Sequence, residues 1–221
     1  MGTTGDTTRR VALTVDAEHP DRPAEPGGTE RVLDVLAAAG VRATFFVQGR
    51  WAEAYPNVAG RIGTSGHRVG NHSYYHARTP LLTDAGLVAD LAAADEAIAH
   101  VCGVDPRPWV RLPFGAGADD PAMLQRIAAL GYRHVGWHVD SDDWEEEAAA
   151  ELIASTVVGG VADVGDGAVA LFHGWPTPTA DGLRRSIEAL RSNGWSFVTI
   201  DELPGDGPPV GVPWGPATTL A

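Results

Sequence analysis

Two imidazoles stand four residues apart in His72-Ser73-Tyr74-Tyr75-His76. If Ser73 to His76 form one helical turn, positions i and i+4 share a face and both rings can reach a single metal ion. Two histidines alone do not make a site. A third ligand must come from elsewhere, and the carboxylates of Asp16 and Glu18 stand at the end of the first predicted strand. Two histidines and a carboxylate leave coordination positions open for water and substrate, the arrangement of a hydrolytic metal centre. Histidines at this spacing also occur on ordinary helices, so the rest of the chain must supply the weight.

The chain has 221 residues, 44% apolar and 20% charged, which is the composition of one globular domain with a sizeable core. Sixteen basic residues against 29 acidic ones give a formal net charge of −13. That balance argues against a nucleic-acid or anionic-membrane partner. Cys102 is the single cysteine, so there is no internal disulfide and no thiolate cluster, and a metal must be held by His, Asp and Glu. The first ten residues are polar and lack the apolar stretch of a secretion signal, and no run reaches transmembrane length. The expectation is a cytoplasmic protein, or a secreted one whose signal has been removed. A flexible N-terminus over 1–9, one domain over 10–203 and a Pro/Gly-rich tail over 204–221 are expected, with Trp214 as an anchor for the tail.

Short apolar runs alternate with longer helical patterns. The spacing predicts strands over 11–15, 41–47, 67–72, 108–112, 132–139, 168–173 and 196–200. Helices are predicted over 30–39, 51–62, 121–130, 146–158 and 181–192. The longest runs from an N-cap at Thr83 to Gly103, with Leu87, Val88, Leu91, Ala94, Ala97, Ile98 and Val101 on one face. Seven strands with intervening helices point to an α/β fold with a parallel sheet, either a barrel or a doubly wound sheet. Asp16, Glu18, His72, Arg111, Asp140, Asp143 and His173 all fall at strand C-termini, and parallel strands bring such side chains to one rim.

Several motifs stand in order along the chain: Leu13-Thr14-Val15-Asp16, Ala43-Thr44-Phe45-Phe46-Val47, Gly66-His67-Arg68-Val69-Gly70-Asn71-His72-Ser73-Tyr74-Tyr75-His76, Arg111-Leu112-Pro113-Phe114-Gly115, Asp140-Ser141-Asp142-Asp143-Trp144 and Leu171-Phe172-His173. With Gly194-Trp195-Ser196-Phe197-Val198-Thr199 and Glu202-Leu203 closing the series, the chain resembles the polysaccharide deacetylase family, the NodB-homology carbohydrate esterases. The match runs from about Val11 to Leu203.

The resemblance implies a distorted (β/α)7 barrel and metal-dependent removal of an N- or O-acetyl group. It implies one divalent ion, zinc with cobalt as an alternative, held by Glu18, His72 and His76. Asp16 matches the family's base and His173 its acid. Asp143 would orient His173, and Arg111 would hold Asp16 ionised. The backbone N–H of Phe114 would add an oxyanion donor, while Trp144 and Leu171 would wall the acetyl pocket. Each role has a plain structural alternative: Asp16 as the cap of a turn, Arg111 and Asp143 as an ion pair, Trp144 as core. His67, His134 and His138 read as structural, and His19 is left open.

The first motif departs from the family. Most members carry two adjacent aspartates, the second a metal ligand, whereas Ala17 stands there in this chain. Val15-Asp16-Ala17-Glu18 resembles a minority pattern with spaced acids, in which Glu18 is the ligand; if Glu18 points away, Asp16 takes its place. Phe114 replaces the usual tyrosine. Subfamilies with spaced acids include enzymes acting on smaller amides and cyclic ureides as well as on glycans. The expected substrate is therefore an N-acetylated sugar or oligosaccharide, with a small or cyclic amide as the alternative and an inactive carbohydrate-binding barrel as a third reading. Trp175, Trp137 and Tyr75 are candidates either to stack on sugar rings or to be packed, and the stretch 19–29 to form a loop over the rim. Oligomeric state is open.

Overall fold

The computed structural model describes residues 9–203. Its first strand, β1 (Arg9–Ala17), is buried at every position from Val11 to Ala17, as a parallel strand covered on both faces must be. Alternation then divides its side chains. Val11, Leu13 and Val15 pack outward into the main core under the helices, whereas Ala12 joins Phe46, Trp109, Val135, Val169 and Ile200 in a separate inner cluster. Thr14 and Asp16 share the inner face with Ala12. That parity delivers Asp16 to the inside of the barrel at its C-terminal rim.

Helix α1 (Gly28–Ala39) leads to β2 (Thr44–Val47), then α2 (Gly49–Ala54), α3 (Pro56–Thr64) and β3 (Arg68–Asn71). Next come α4 (Asp84–Cys102), β4 (Trp109–Val110), α5 (Pro121–Ala129), β5 (Arg133–His134) and β6 (Val139–Asp140). The chain closes with α6 (Ala150–Val164), β7 (Ala168–His173), α7 (Thr179–Ser192) and β8 (Trp195–Val198). Every pairing is parallel, in the order β5-β4-β3-β2-β1-β7-β6. The strand β8 lies along Arg9 to Ala12 of β1, on the edge opposite β7, where β2 takes up only the C-terminal half. This is a single-domain distorted (β/α)7 barrel.

The distortion has a specific origin. Residues 132–139 are not one strand: Val135 donates to the Val110 carbonyl (2.8 Å), and three residues later His138 donates to the Val169 carbonyl (2.9 Å). One segment therefore leaves the β4 edge at β5 and joins the β7 edge at β6. The barrel is closed by a crossing chain instead of a continuous ladder. The predicted helix over 51–62 is two helices, because the residue before Pro56 is barred from the helical region and Tyr55 turns out to φ −126°, ψ 57°. The predicted helix over 146–158 starts later, at Ala150, and runs to Val164. On α4, Val88 is exposed, and Asp90 takes its place on the buried face.

Of the expected tails, 1–9 and 204–221, only Arg9 falls within the described residues; it opens β1 opposite Trp195. Among the described residues no helix is long and apolar enough to cross a membrane.

Candidate metal centre and its flanking residues

The His72 and His76 rings do converge, but not on a helical turn. Ser73 (φ 64°) and His76 (φ 59°) are left-handed, and the segment is a loop. Each such residue costs roughly 1–2 kcal/mol without a local compensation. Compensation comes from a dense set of bonds to the loop backbone. Asn71 Oδ1 accepts from the Ser73 N–H (2.7 Å), and Ser73 Oγ from the His76 N–H (2.9 Å). The carboxylate of Asp90, buried on α4, accepts from Tyr74 and Tyr75 N–H, one per oxygen, at 3.1 and 3.0 Å. From the other side, the Gly49 N–H at the start of α2 donates to the Ser73 carbonyl (3.0 Å). A Cβ on Gly49 would stand 2.7 Å from the Tyr74 ring and 2.8 Å from Ala94, so only glycine lets α2 come this close.

Asp90 is a residue that motif reading misses. Its signal was an acid on the apolar stripe of α4, between Leu87 and Ala94. Asparagine at this position keeps one acceptor and turns an N–H₂ toward a backbone N–H. Asp90→Asn is therefore expected to weaken metal affinity by about 10- to 100-fold while α4 stays folded, as loss of an outer support of a metal site does. Competition titration against a chelator measures it; unchanged affinity would show that the loop holds its shape without this carboxylate.

Ligand atoms of Glu18, His72 and His76 all lie within 4.8 Å of one another. His72 Nδ1 lies 2.9 Å from the Arg111 carbonyl, which selects the tautomer with Nδ1–H and leaves Nε2 facing the cluster. His72 Nε2 stands 3.1 Å from Glu18 Oε2 and 3.2 Å from His76 Nε2. Ligand atoms on a tetrahedral zinc stand roughly 3.3 Å apart, so these residues fit such an ion. The third edge, His76 Nε2 to Glu18 Oε2 at 2.6 Å, is the length of an ion pair. Burial pushes the Glu18 carboxyl up, but hydrogen bonds from His72 and His76 outweigh it and hold the group well below the usual carboxylate range. The other oxygen of Glu18 accepts from Trp175 Nε1 (3.3 Å), and Arg22 lies over the Trp175 ring. Trp175 thus anchors the Glu18 carboxylate through its ring N–H while lining the cavity.

Asp16 stands beside the cluster and outside it. Its Oδ1 accepts from Arg111 (2.8 Å), and its Oδ2 lies 3.5 Å from His72 Nε2. Directly across the sheet, Asp16 is the register partner of His173 on β7, so the two side chains rise from neighbouring positions on one face. His173 Nδ1 donates to Asp143 Oδ1 (2.8 Å), while Asp143 Oδ2 accepts from the His173 backbone N–H (2.8 Å) and the Thr179 hydroxyl (2.7 Å). Burial alone would push the His173 imidazole down, but the adjoining Asp143 carboxylate, with Glu18 and Asp16, raises it to about 10. Arg111 and Asp143 do not pair with each other; each serves one of these two groups.

These residues open onto a cavity of about 570 Å³. Leu112, Trp137, Trp144 and Leu171 form an apolar side, Phe114 (φ 59°, 38% exposed) stands at the rim, and His19, Pro20 and Asp21 of the 19–29 stretch line another wall. His19 is tied to Gln48 Oε1 through its backbone N–H and its Nδ1, both at 3.0 Å, and is not part of the three-residue cluster. His67 and His138 each accept a backbone N–H through Nδ1, from Ala43 and Val169. Both His134 ring nitrogens are buried and, among the described residues, have no hydrogen-bond partner; burial lowers its pKa to about 4.

A family model described as polysaccharide deacetylase matches residues 4–135. The chain belongs to the polysaccharide deacetylase family. Among its relatives, a peptidoglycan-N-acetylglucosamine deacetylase of Listeria monocytogenes is 32% identical over 200 residues, which are 90% of this chain and 40% of that protein. This family member therefore spans less than half the length of that relative. A peptidoglycan-N-acetylmuramic acid deacetylase of Bacillus subtilis is 29% identical over 184 residues, 83% of this chain and 68% of the other. The solved structure of a family 4 carbohydrate esterase from Streptomyces lividans, in complex with acetate, superposes with a TM-score of 0.74 at 31% identity. That superposition covers 87% of this chain and 93% of the esterase.

Proposed function

We propose that this polysaccharide deacetylase family member hydrolyses the acetamide of an N-acetylated sugar within a glycan, releasing acetate and a free amine. The observation that carries the reading is the pairing of Asp16 and His173 across β1 and β7, next to three convergent metal-ligand side chains. Each has its own buried charged partner.

Glu18, His72 and His76 would hold one divalent ion, zinc or cobalt. The chemistry such an ion supplies is Lewis acidity, which lowers the pKa of a water and polarises the acetyl carbonyl. Asp16 takes the proton of the attacking water. Arg111 occupies one oxygen of Asp16 and leaves Oδ2 toward the cluster, so the basic oxygen is preset. His173 donates a proton to the departing nitrogen, which amide cleavage requires because without it the nitrogen would leave as a strongly basic amide anion. Its raised pKa keeps it charged at neutral pH, ready to act as that acid. Leu171 and Trp144 offer apolar surface to the acetyl methyl, and the Phe114 N–H is assigned to the oxyanion.

The test is acetate release from N-acetylglucosamine oligomers of graded length, with zinc or cobalt added and a chelator control. Metal-dependent release is expected, rising with length until the cavity's subsites are filled. No release from a folded, metal-loaded protein, together with turnover of a cyclic ureide or imide, would replace this reading with the small-amide one.

A further inference from the structure

Strand geometry decides which residue after Asp16 can join the cluster. Ala17 pairs with Val47 and packs in the outer core, so the face that carries Asp16 comes round again at position 18. A glutamate there has one more side-chain torsion to fix than an aspartate, and two oxygens that could both turn to one cation. The structure separates those oxygens. Oε2 faces His76 Nε2 (2.6 Å) and His72 Nε2 (3.1 Å), while Oε1 accepts from the Trp175 indole N–H (3.3 Å).

Trp175 is itself locked in place. The Gly174 N–H before it donates to the Asp16 carbonyl (2.9 Å), and the Gly174 carbonyl accepts from the buried Thr29 hydroxyl (3.3 Å). A Cβ on Gly28 would collide with the Gly174 carbonyl oxygen, and one on Gly174 would stand 2.5 Å from Thr29 Oγ1. Two glycines thus let the start of α1 press against this segment. Above the ring lies the Arg22 guanidinium (5.5 Å), paired with Asp21 (2.9 Å), so the 19–29 stretch covers it. The ring lines the main cavity and two smaller ones, of about 280 and 260 Å³. A ring bordered by cavities contributes little to core filling, and its directed contact is the N–H on Glu18.

We propose that Trp175 is a positioning residue that keeps Glu18 a one-oxygen ligand, so that the second carboxylate oxygen does not take a coordination position needed by water or the acetyl carbonyl. This rests on the metal centre of the deacetylase reading and explains how a glutamate two residues after Asp16 can serve there. Chelation through both oxygens suits larger ions with more ligands, whereas a single oxygen suits four-coordinate zinc. Trp175 therefore also sets which ion the site prefers.

Trp175→Phe keeps an aromatic wall and removes the N–H. Competition titrations against a chelator should show zinc binding weakened by about 10- to 100-fold, with manganese affected less, so that the zinc-to-manganese preference falls several-fold. The visible absorption of the cobalt-loaded variant should weaken as the ion gains a ligand. Replacing Trp175 by benzothienylalanine, which puts sulfur in place of the indole N–H and keeps the shape, repeats the test should urea melts of the metal-free protein show that phenylalanine disturbs the fold. Equal losses for both ions would make Trp175 a packing residue, and unchanged zinc affinity with an unchanged cobalt spectrum would show that Glu18 is held without it; either result overturns the proposal. A wild-type protein that binds none of these ions would remove the metal centre of the deacetylase reading along with this inference, whereas a metal-binding wild type with an unaltered variant removes the inference alone.

Discussion

Arg111→Ala is expected to lower the unfolding free energy by roughly 3–5 kcal/mol, the range for removing one partner of a buried charge pair. Arg111 is fully buried, and each of its nitrogens donates. Nη1 reaches Asp16 (2.8 Å), Nη2 reaches Thr14 Oγ1 (2.9 Å) and the Gly136 carbonyl (3.1 Å), and Nε reaches the Val135 carbonyl (3.1 Å). Its face lies 4.2 Å from the Phe46 ring. Val135 and Gly136 belong to the segment that crosses between the two sheet edges, where no ladder partner accounts for those carbonyls. One side chain thus sets the position of Asp16 and satisfies the seam of the barrel. Alanine would leave an unpaired carboxylate and three buried acceptors, the Val135 and Gly136 carbonyls and Thr14 Oγ1. Lysine should recover only part of the loss, since an ammonium cannot span this fork of donors. Arg111→Met/Asp16→Asn should be more stable than Arg111→Ala, because the stranded charge goes too. Urea melts of the four proteins decide it. An Arg111→Ala variant within 1 kcal/mol of wild type would reduce Arg111 to a local tether of Asp16.

Much of this arrangement was legible from residue patterns, for identifiable reasons. Apolar runs such as 11–15 and 168–173 are unambiguous because central parallel strands are buried on both faces, and parity along β1 and β7 then fixes which side Asp16 and His173 occupy. The i, i+4 spacing of His72 and His76 suggests convergent rings through a helical turn, and the rings do converge, on a loop instead. A helical turn and a loop with two left-handed residues both bring the rings together, and the bonds that decide for the loop come from Asp90, distant in sequence. The crossing at 132–139 was hidden because hydrophobic pattern reports burial and says nothing of which edge a strand pairs with. The break at Tyr55-Pro56 was visible in principle, since proline restricts the residue before it. Trp175 shows the limit of composition, which marks an aromatic as a stacking candidate but does not reveal that its N–H bonds to Glu18.

Asp143→Asn should cut kcat at neutral pH by about 100-fold, within the range typical of acid-base catalysis, with a smaller effect on KM. It should also move the alkaline limb of the pH–rate profile to lower pH. Burial lowers the affinity of His173 for a proton, and the Asp143 carboxylate is the largest effect opposing it, so that the pKa stands at about 10. Asparagine removes the charge and keeps the shape, leaving burial less opposed. As the acid of the reaction, His173 must be protonated, so turnover is present below its pKa in the folded protein and lost as pH rises through it. A lowered pKa therefore brings the loss toward neutrality. The sign for stability agrees: a raised imidazole pKa contributes stability fully present below the ordinary histidine value of about 6.5 and lost as pH rises through about 10. The stability of Asp143→Asn should accordingly vary less with pH between those limits. Profiles of kcat over pH 5 to 11, with metal content checked at each point, provide the measurement. A limb that stays where the wild type has it would mean that Asp143 only aligns the ring, and that the proton for the leaving nitrogen comes from another group.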